Sequence, residues 1–278
     1  MDVVSGIDGL ATEHGRLLAV VGVFDGLHRG HRYLLAHLRR AAARYGARPA
    51  VVTFDAHPDE ILVGAAPPLL CDPDERLARL AGAGVELTVV QPFDETLRMT
   101  EFDAFVAALG ARAELAGFLM TPDAAFGHER RGTPAALAEL GRQRGFEVVV
   151  VSPFVLDGRP VRSSTVRADI AAGDLAAARH LVGRPVAATG VTGADATLAF
   201  PIPVALPPAG RYAGTIEPAW TPSGRVAVPR RVVVTVDDSG VRLSRESAQT
   251  GQRSRVAFSR SLSLRDNPAI LPRSQKDV

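Results

Sequence analysis

Two histidines and three glycines fall within the ten residues Gly22–His31, directly after the apolar run Leu17–Val23. His28 and His31 are three residues apart at a strand-to-helix junction, so they can share one face of the following helix. Gly30 leaves room for a ligand to approach the backbone, and a helix N-terminus offers free N–H groups and a positive dipole end to phosphate. Two imidazoles at such a turn can stabilise negative charge on a pentacovalent phosphorus. The pattern predicts nucleotidyl transfer from ATP, against the alternative of a turn with two incidental histidines.

We expect the two histidines to be catalytic and their turn to bind ATP through Gly22, Phe24, Asp25 and Gly30. A second cluster, Thr53–Glu60, follows a β-branched strand and places His57 at the same sheet edge, where its ring can contact the ATP phosphates. The acids of this cluster are equally typical of a turn or a helix start; they are Asp55, Asp59 and Glu60. A metal site of three histidines is disfavoured because no acid is spaced as a further ligand, so no protein-bound metal is predicted.

A third cluster, Asp123–Gly132, is a charged and glycine-rich loop after a strand that ends near Met120. It can hold an acceptor substrate, with Arg130 or Arg131 reaching the acceptor's phosphate. An ordinary solvated loop is the alternative. Taken together with the first cluster, the loop predicts an acceptor site that includes Asp123.

A fourth cluster, Arg162–Arg167, precedes a helical stretch. Hydroxyl side chains at a helix start normally cap the helix, but the same groups can bind phosphate, with an arginine of the first turn adding charge. With the two histidines upstream, we expect this cluster to hold the triphosphate of ATP through Ser163, Ser164, Thr165 and Arg167.

Composition limits the remaining function classes. The chain has 278 residues, a formal net charge of +2, a single cysteine (Cys71) and a single lysine (Lys276). There is no dense basic block, so nucleic acid is not an expected partner, and one cysteine gives no disulfide framework. Because no apolar run reaches membrane-spanning length, we expect a cytoplasmic protein that binds small molecules. The oligomeric state is left open.

The clusters must be positioned by a fold, and apolar strands alternate with helical patterns from residue 16 to about 183. This alternation predicts an α/β fold with a doubly wound parallel sheet, in which ligands bind beyond the carboxyl ends of the strands. The expected strands are Leu17–Phe24, Pro49–Phe54, Leu87–Gln91, Gly117–Met120 and Phe146–Val151. The expected helices are Arg29–Tyr45, Pro73–Ala83, Glu101–Leu109, Pro134–Arg144 and Asp174–Leu181.

Residues 184–278 have a different character, with short β-prone runs separated by Gly, Pro and Ser. They predict a small antiparallel β-barrel and a loose tail from about Asn267. We therefore expect two domains, residues 1–183 and 184–278.

The four clusters together resemble the bacterial bifunctional riboflavin kinase/FAD synthetase family. The resemblance implies an H-I-G-H nucleotidylyltransferase domain that transfers AMP from MgATP to FMN, with FAD and pyrophosphate as products. It implies that His28 and His31 stabilise the reacting phosphates and that Ser164 and Thr165 hold the triphosphate. On the flavin side, it implies binding by Asp123, Phe126 and Arg130.

The chain departs from this family around the acceptor. Thr121 and Ala124 replace a glycine and an aromatic residue of the family's pattern. The Ser-Ser-Thr stretch has one residue fewer than usual before the following arginine, Arg167, whereas a gapless alignment puts Arg162 in place of the first serine. Either arginine can serve the phosphates.

The C-terminal part resembles the family's riboflavin kinase barrel without its chemistry. Where the family has the threonine and asparagine that serve MgATP, this chain has Ile202 and Val204, which offer no side-chain oxygen. The position of the family's catalytic glutamate falls near Val232. We therefore expect a degenerate barrel without kinase activity.

Three functions are compatible with this pattern. The first is an adenylyltransferase that makes FAD from FMN, with an inactive kinase module. The second is nucleotidyl transfer to a modified flavin or another phosphorylated metabolite, as Ala124 suggests. The third is a non-catalytic protein that binds flavin or nucleotide.

Overall fold

A computed structural model of the chain describes residues 1–218, 229–238, 240–244 and 250–262. Packing divides these residues into two compact units. The first combines Met1–Pro67 with Pro73–Ser163, and the second combines Pro68–Asp72 with the chain from Ser164 onward. Among the described residues, none of the helices has both the length and the apolar character needed to cross a membrane.

A six-stranded parallel sheet forms the centre of the first unit, in the spatial order β1-β4-β3-β2-β5-β6. Its strands are β1 (Asp2–Ser5), β2 (Leu17–Val21), β3 (Arg48–Phe54), β4 (Leu87–Gln91), β5 (Leu115–Met120) and β6 (Glu147–Val150). Since β3 lies on one side of β2 and β5 on the other, the winding direction reverses beside β2. This is the place where doubly wound sheets bind ligands.

Helices cover both faces of the sheet. They are α1 (Arg29–Arg44), α2 (Asp59–Leu62), α3 (Pro73–Gly82), α4 (Glu95–Arg98), α5 (Phe102–Gly110) and α6 (Pro134–Arg144). Successive residues of β2 point to opposite faces, so Leu17 packs in the core beneath α5 and α6, while Leu18 packs in the core beneath α1 and α3. Burying each such leucine side chain contributes roughly 1.5–3 kcal/mol.

The second unit holds two helices and a closed antiparallel barrel. The helices are α7 (Ser163–Ala171), whose first residue is grouped with the first unit, and α8 (Leu175–Val182). After the hairpin β7 (Val155–Leu156) and β8 (Arg159–Pro160) of the first unit, the barrel strands are β9 (Val186–Thr192), β10 (Thr197–Ala199), β11 (Gly210–Pro218), β12 (Arg230–Asp237), β13 (Gly240–Leu243) and β14 (Arg253–Ser261). They close in the order β10-β13-β12-β11-β14-β9.

The predicted fold class, a doubly wound parallel sheet followed by an antiparallel barrel, is confirmed. The β2 strand ends at Val21 rather than at Phe24, because the chain turns into a left-handed conformation there. Packing divides the chain after Ser163 and groups α8 with the barrel, so the domain boundary at residue 183 stays a prediction. The predicted loose tail lies outside the described residues.

Candidate active site

The turn between β2 and α1 has an unusual backbone. Phe24 has φ 55° and Leu27 has φ 39°, with Gly26 at φ 74° between them. Non-glycine residues rarely adopt positive φ, and such conformations persist only where the surroundings hold them in place. Backbone strain of this kind is concentrated at functional sites. Here the strained residues lie directly before the first turn of α1.

The two histidines are stacked at the start of α1. Their ring centroids lie 3.7 Å apart with an interplanar angle of 14°. His28 is the N-cap residue, and its Nδ1 accepts a hydrogen bond of 3.2 Å from the backbone N–H of His31. Because Nδ1 accepts, a neutral His28 carries its proton on Nε2, which leaves Nε2–H as a donor.

The pKa of His31 is well below its usual value, first because the ring is buried and second because of the neighbouring His28. Part of the residue is exposed, but its Nδ1 is buried and has no hydrogen-bond partner among the described residues. Burial disfavours the charged form of an imidazole. The His31 ring is therefore neutral near pH 7.

A cavity of about 350 Å³ opens beside this pair. It lies at the carboxyl ends of β2 and β5, where the winding of the sheet reverses. Of the predicted site residues, the cavity is lined by Gly22, Phe24, His28, Gly30, His31, Asp123, Phe126, Arg130 and Ser163. The structure thus brings the first and third clusters together with the first two residues of the fourth, Arg162 and Ser163.

Gly30 lies in a tightly packed position at the start of α1. A Cβ atom at this position would lie 2.9 Å from the carbonyl oxygen of Val161 and 3.2 Å from the ring of His28. Gly30 also lines the cavity, and its approach by a ligand stays a prediction.

Asp123 is the centre of the charged loop. Its carboxylate accepts a 2.8 Å hydrogen bond from the Thr121 hydroxyl and forms a 3.0 Å ion pair with Arg162. Its carbonyl oxygen accepts from Arg130 at 3.1 Å. The Thr121 bond and the charges of the two arginines hold the pKa of Asp123 below its usual value. The carboxylate is therefore ionised at neutral pH.

The structure distinguishes the arginines that the sequence leaves as alternatives for binding phosphate. Arg130 and Arg162 line the cavity, whereas Arg131 pairs with Glu101 and Glu129. In the second unit, the Arg167 Nε donates to the carbonyl of Pro68 at 2.8 Å. Of the two arginines that flank the Ser-Ser-Thr stretch, Arg162 is the one that lines the cavity.

A second cavity, of about 590 Å³, adjoins the first. His57 lines it, and the His57 Nδ1 accepts from the backbone N–H of Asp59 at 3.2 Å. The two cavities share a part of their lining, which comprises Val21, Gly22, Val23, Ala125, Phe126 and Arg130. His57 therefore lies at the predicted edge of the sheet but in the neighbouring cavity.

Four predicted ATP-binding residues are not in the lining of either cavity. The residue Asp25 is 3% exposed, and its carbonyl accepts a 3.1 Å hydrogen bond from the Ser163 hydroxyl. The other three belong to the second unit; they are Ser164, Thr165 and Arg167.

Sequence reasoning missed the hairpin β7–β8. Phe154, just before β7, and Pro160, in β8, line the first cavity, and the centroid of the Phe154 ring lies 5.3 Å from that of Tyr33. The Asp157-Gly158 dipeptide at its tip was the available signal, since this pair favours a tight hairpin turn. Both tip residues have positive φ, 50° and 77°.

The comparisons with known proteins match the part of the chain that forms this site. The sequence profile of the FAD synthetase family matches residues 10–165, from before β2 to the first turn of α7. The chain belongs to the FAD synthetase family.

Two proteins with sequences similar to this chain are named bifunctional riboflavin kinase/FMN adenylyltransferase. The protein of Pseudomonas fluorescens is 34% identical over 190 residues, which is 66% of this chain and 60% of the relative. The protein of Escherichia coli K12 is 31% identical over 194 residues, or 68% of this chain and 62% of the relative. The matched region thus spans less than two thirds of the relatives' length.

A solved structure has the same fold as this FAD synthetase family member. It is a macrolide-efflux protein from Streptococcus pneumoniae, with a TM-score of 0.76 and 20% sequence identity. The match covers 94% of this chain and all of that one. At this identity the likeness concerns the fold alone.

Proposed function

We propose that this protein transfers AMP from MgATP to the phosphate of FMN, with FAD and pyrophosphate as products. The observation that carries the proposal is the stacked histidine pair, His28 and His31, in a cavity where the sheet reverses its winding. The pair lies within the segment that matches the FAD synthetase family. The names of the relatives supply the reaction.

In this reaction an oxygen of the FMN phosphate attacks the α-phosphorus of ATP. The new oxygen–phosphorus bond forms as the bond to the β-phosphate breaks, and the electron pair leaves with pyrophosphate. No covalent enzyme intermediate is needed, so the protein acts through position and electrostatic stabilisation. The Nε2–H of neutral His28 is a donor for an oxygen of the α-phosphate, and its Nδ1 is held by the His31 backbone.

Basic side chains neutralise the charge of the two substrates. Arg130 and Arg162 converge on Asp123 at the rim of the cavity, and a guanidinium can bind a phosphate in a two-pronged geometry. Because Phe126 and Arg130 line both cavities, an acceptor whose phosphate faces the histidines can place its ring in the second cavity. Aromatic side chains there, including Phe54 and Phe93, suit a flat ring.

Magnesium would be held mainly by the triphosphate. The described part of the chain has no cluster of three or more His, Cys, Asp or Glu side chains arranged to bind a metal ion. Mg²⁺ bound to phosphate oxygens neutralises charge and helps the pyrophosphate to leave. We further propose that ATP, Mg²⁺ and flavin are the partners of this protein and that it is cytoplasmic, which fits small soluble substrates.

The test is an incubation of the protein with MgATP and FMN, with FAD and pyrophosphate measured by chromatography. We expect equal amounts of the two products. His28→Ala and His31→Ala should each lower kcat about 10²-fold, the size expected for loss of one donor to a developing oxyanion. His14→Ala is the control, because this residue precedes β2 at the amino ends of the strands and its ring bonds with Ala11 in its own turn.

Other outcomes would favour the second and third hypotheses. Pyrophosphate release with a different phosphorylated acceptor, but not with FMN, would support nucleotidyl transfer to another substrate. Ala124, which lines the cavity where the family's pattern has an aromatic residue, favours this as the second hypothesis. Nucleotide binding without turnover for any acceptor would favour a binding protein. Unchanged turnover in both histidine variants would remove their assigned role.

A further inference from the structure

We propose that Arg76 is a positioning residue for this site. Its guanidinium hydrogen-bonds to two chain segments, one leading to His28 and His31 and the other leading to His57. The inference rests on the proposed function for its effect on turnover. Its effect on the structure can be measured without any substrate.

The Arg76 guanidinium bonds to two strand ends at once. Its Nη2 donates to the carbonyl oxygen of Phe54 at 2.7 Å, and its Nη1 donates to the carbonyl oxygen of Val23 at 3.3 Å. Arg76 is only 7% exposed. The fully buried Thr53 donates its hydroxyl to the same Val23 carbonyl at 3.1 Å. One side chain on α3 therefore spans the ends of β2 and β3.

These two carbonyls lie where the sheet ends. The strand β2 stops at Val21 and β3 at Phe54, and buried carbonyl groups need hydrogen-bond partners from another source. Val23 immediately precedes the left-handed Phe24, so its carbonyl orientation sets the path of the turn toward His28. The Phe54 carbonyl begins the loop that leads to His57.

Arg76 is itself absent from the lining of both cavities, whereas Val23 lines both of them and Phe54 lines the second. It therefore acts on the site through the backbone it holds. A planar guanidinium presents donors in a fixed fork, which a lysine ammonium cannot reproduce. The fork fixes the separation of the two segments and holds the strained turn in place.

Arg48 offers a matched control at the opposite edge of the same sheet. It is the first residue of β3, and its guanidinium donates to the carbonyls of His14 and Glu86 at 3.1 and 3.2 Å. It also pairs with Asp2. Both arginines bridge backbone carbonyls, but of the two bridges only that of Arg76 holds the turn that leads to His28 and His31.

The structural test is amide hydrogen exchange of the full chain and of the variants Arg76→Met, Arg76→Lys and Arg48→Met. We expect Arg76→Met to exchange faster over residues 22–31 and 54–59, with Arg76→Lys between it and the parent protein. Arg48→Met should leave these two segments protected while it loosens residues near 14 and 86.

The kinetic test uses the same proteins in FAD synthesis. Because a misplacement of about 1 Å can cost up to about 10²-fold in rate, we expect kcat to fall about 10- to 100-fold in Arg76→Met, with a smaller change in KM for ATP. Arg76→Lys should recover part of kcat. Arg48→Met should lower the melting temperature and keep kcat.

Normal exchange over residues 22–31 in Arg76→Met would overturn the inference, as would equal losses of kcat in Arg76→Met and Arg48→Met. If the methionine variant does not fold, Arg76→Lys decides the question by the same two measurements. If the parent protein makes no FAD, the proposed function fails, while the exchange data still decide whether Arg76 positions the turn.

Discussion

At the scale of single residues, the surroundings of each ring nitrogen determine which hydrogen bonds His28 and His31 can make. The Nδ1 of His28 is occupied by the backbone N–H of His31, and the Nδ1 of His31 is buried. Two imidazolium rings stacked at 3.7 Å would repel each other. The pair therefore disfavours two charged rings, and the buried ring of His31 is the one whose pKa is lowered.

This environment makes the stability of the fold depend on pH. The pKa of His31 is lowered from an ordinary value of 6.5, so the unfolded chain binds a proton more readily than the folded protein. Above about pH 6.5 both states are neutral and His31 has no effect. As the pH falls below 6.5, the free energy of unfolding should fall with it, by at most about 1.4 kcal/mol per pH unit.

Urea unfolding at pH 7, 6 and 5 measures this dependence. His31→Gln should show a smaller decrease than the parent protein over the same range, because it removes the proton-binding group. His180→Gln, at an exposed position on α8, is the matched control for the loss of a histidine away from the pair. An identical slope in the parent protein and in His31→Gln would show that the burial of this ring does not govern acid stability.

At the scale of elements, the first turn of α1 is packed against the chain that precedes α7. A methyl group at Gly30 would lie 2.9 Å from a backbone carbonyl, that of Val161, which cannot rotate away. We expect Gly30→Ala to lower both the melting temperature and kcat, since α1 must shift and carry His28 and His31 with it. The measurements are thermal unfolding and FAD synthesis.

Gly82 provides the control for this substitution. It is the last residue of α3, and outside its chain neighbours and its own helix backbone no described atom lies within 4 Å of the position its Cβ would take. Gly82→Ala should leave kcat unchanged and keep or raise the melting temperature, because alanine favours the helix by up to about 1 kcal/mol. A Gly30→Ala protein as stable and active as Gly82→Ala would contradict the steric account.

The elements also show what the sequence could and could not predict. Strands buried on both faces are continuous apolar runs, so the bounds of β3 and β4 and the start of β2 could be predicted to within one residue, although β2 ends before the predicted Phe24. The strand β1 has four mostly exposed residues at the sheet edge, and β7 and β8 have two residues each. Such short segments carry no periodic signal, and they were missed.

The residues of the candidate site also differ in whether the sequence can predict them. His28, Gly30 and His31 are neighbours in the chain, so their grouping could be predicted from local sequence, and Asp123 was placed correctly at the end of the next strand along the sheet. Arg76 could not be found by these means. Its role depends on how α3 packs across the ends of two strands, and nothing in its local sequence distinguishes it from the other arginines.

At the scale of the whole molecule, the described barrel is filled by its own side chains. Every second residue of β12 points inward and is buried, beginning with Val232 at 5% exposure. Opposite it across the strand pair lies Gly214. The backbone next to Ile202 and Val204 is tied to Leu69, whose N–H donates to the Pro203 carbonyl and whose carbonyl accepts from Ala205, both at 2.9 Å.

These residues lead us to expect that the barrel has no riboflavin kinase activity. A kinase must orient the triphosphate and its metal and must take a proton from the attacking hydroxyl. The side chains of Ile202, Val204 and Val232 have no oxygen with which to do either. With MgATP and riboflavin, chromatography should therefore detect no FMN and no FAD, while the same preparation converts FMN to FAD. The Escherichia coli relative, named for both activities, is the positive control, and ATP-dependent formation of FMN by this protein would show that the barrel uses other residues for the reaction.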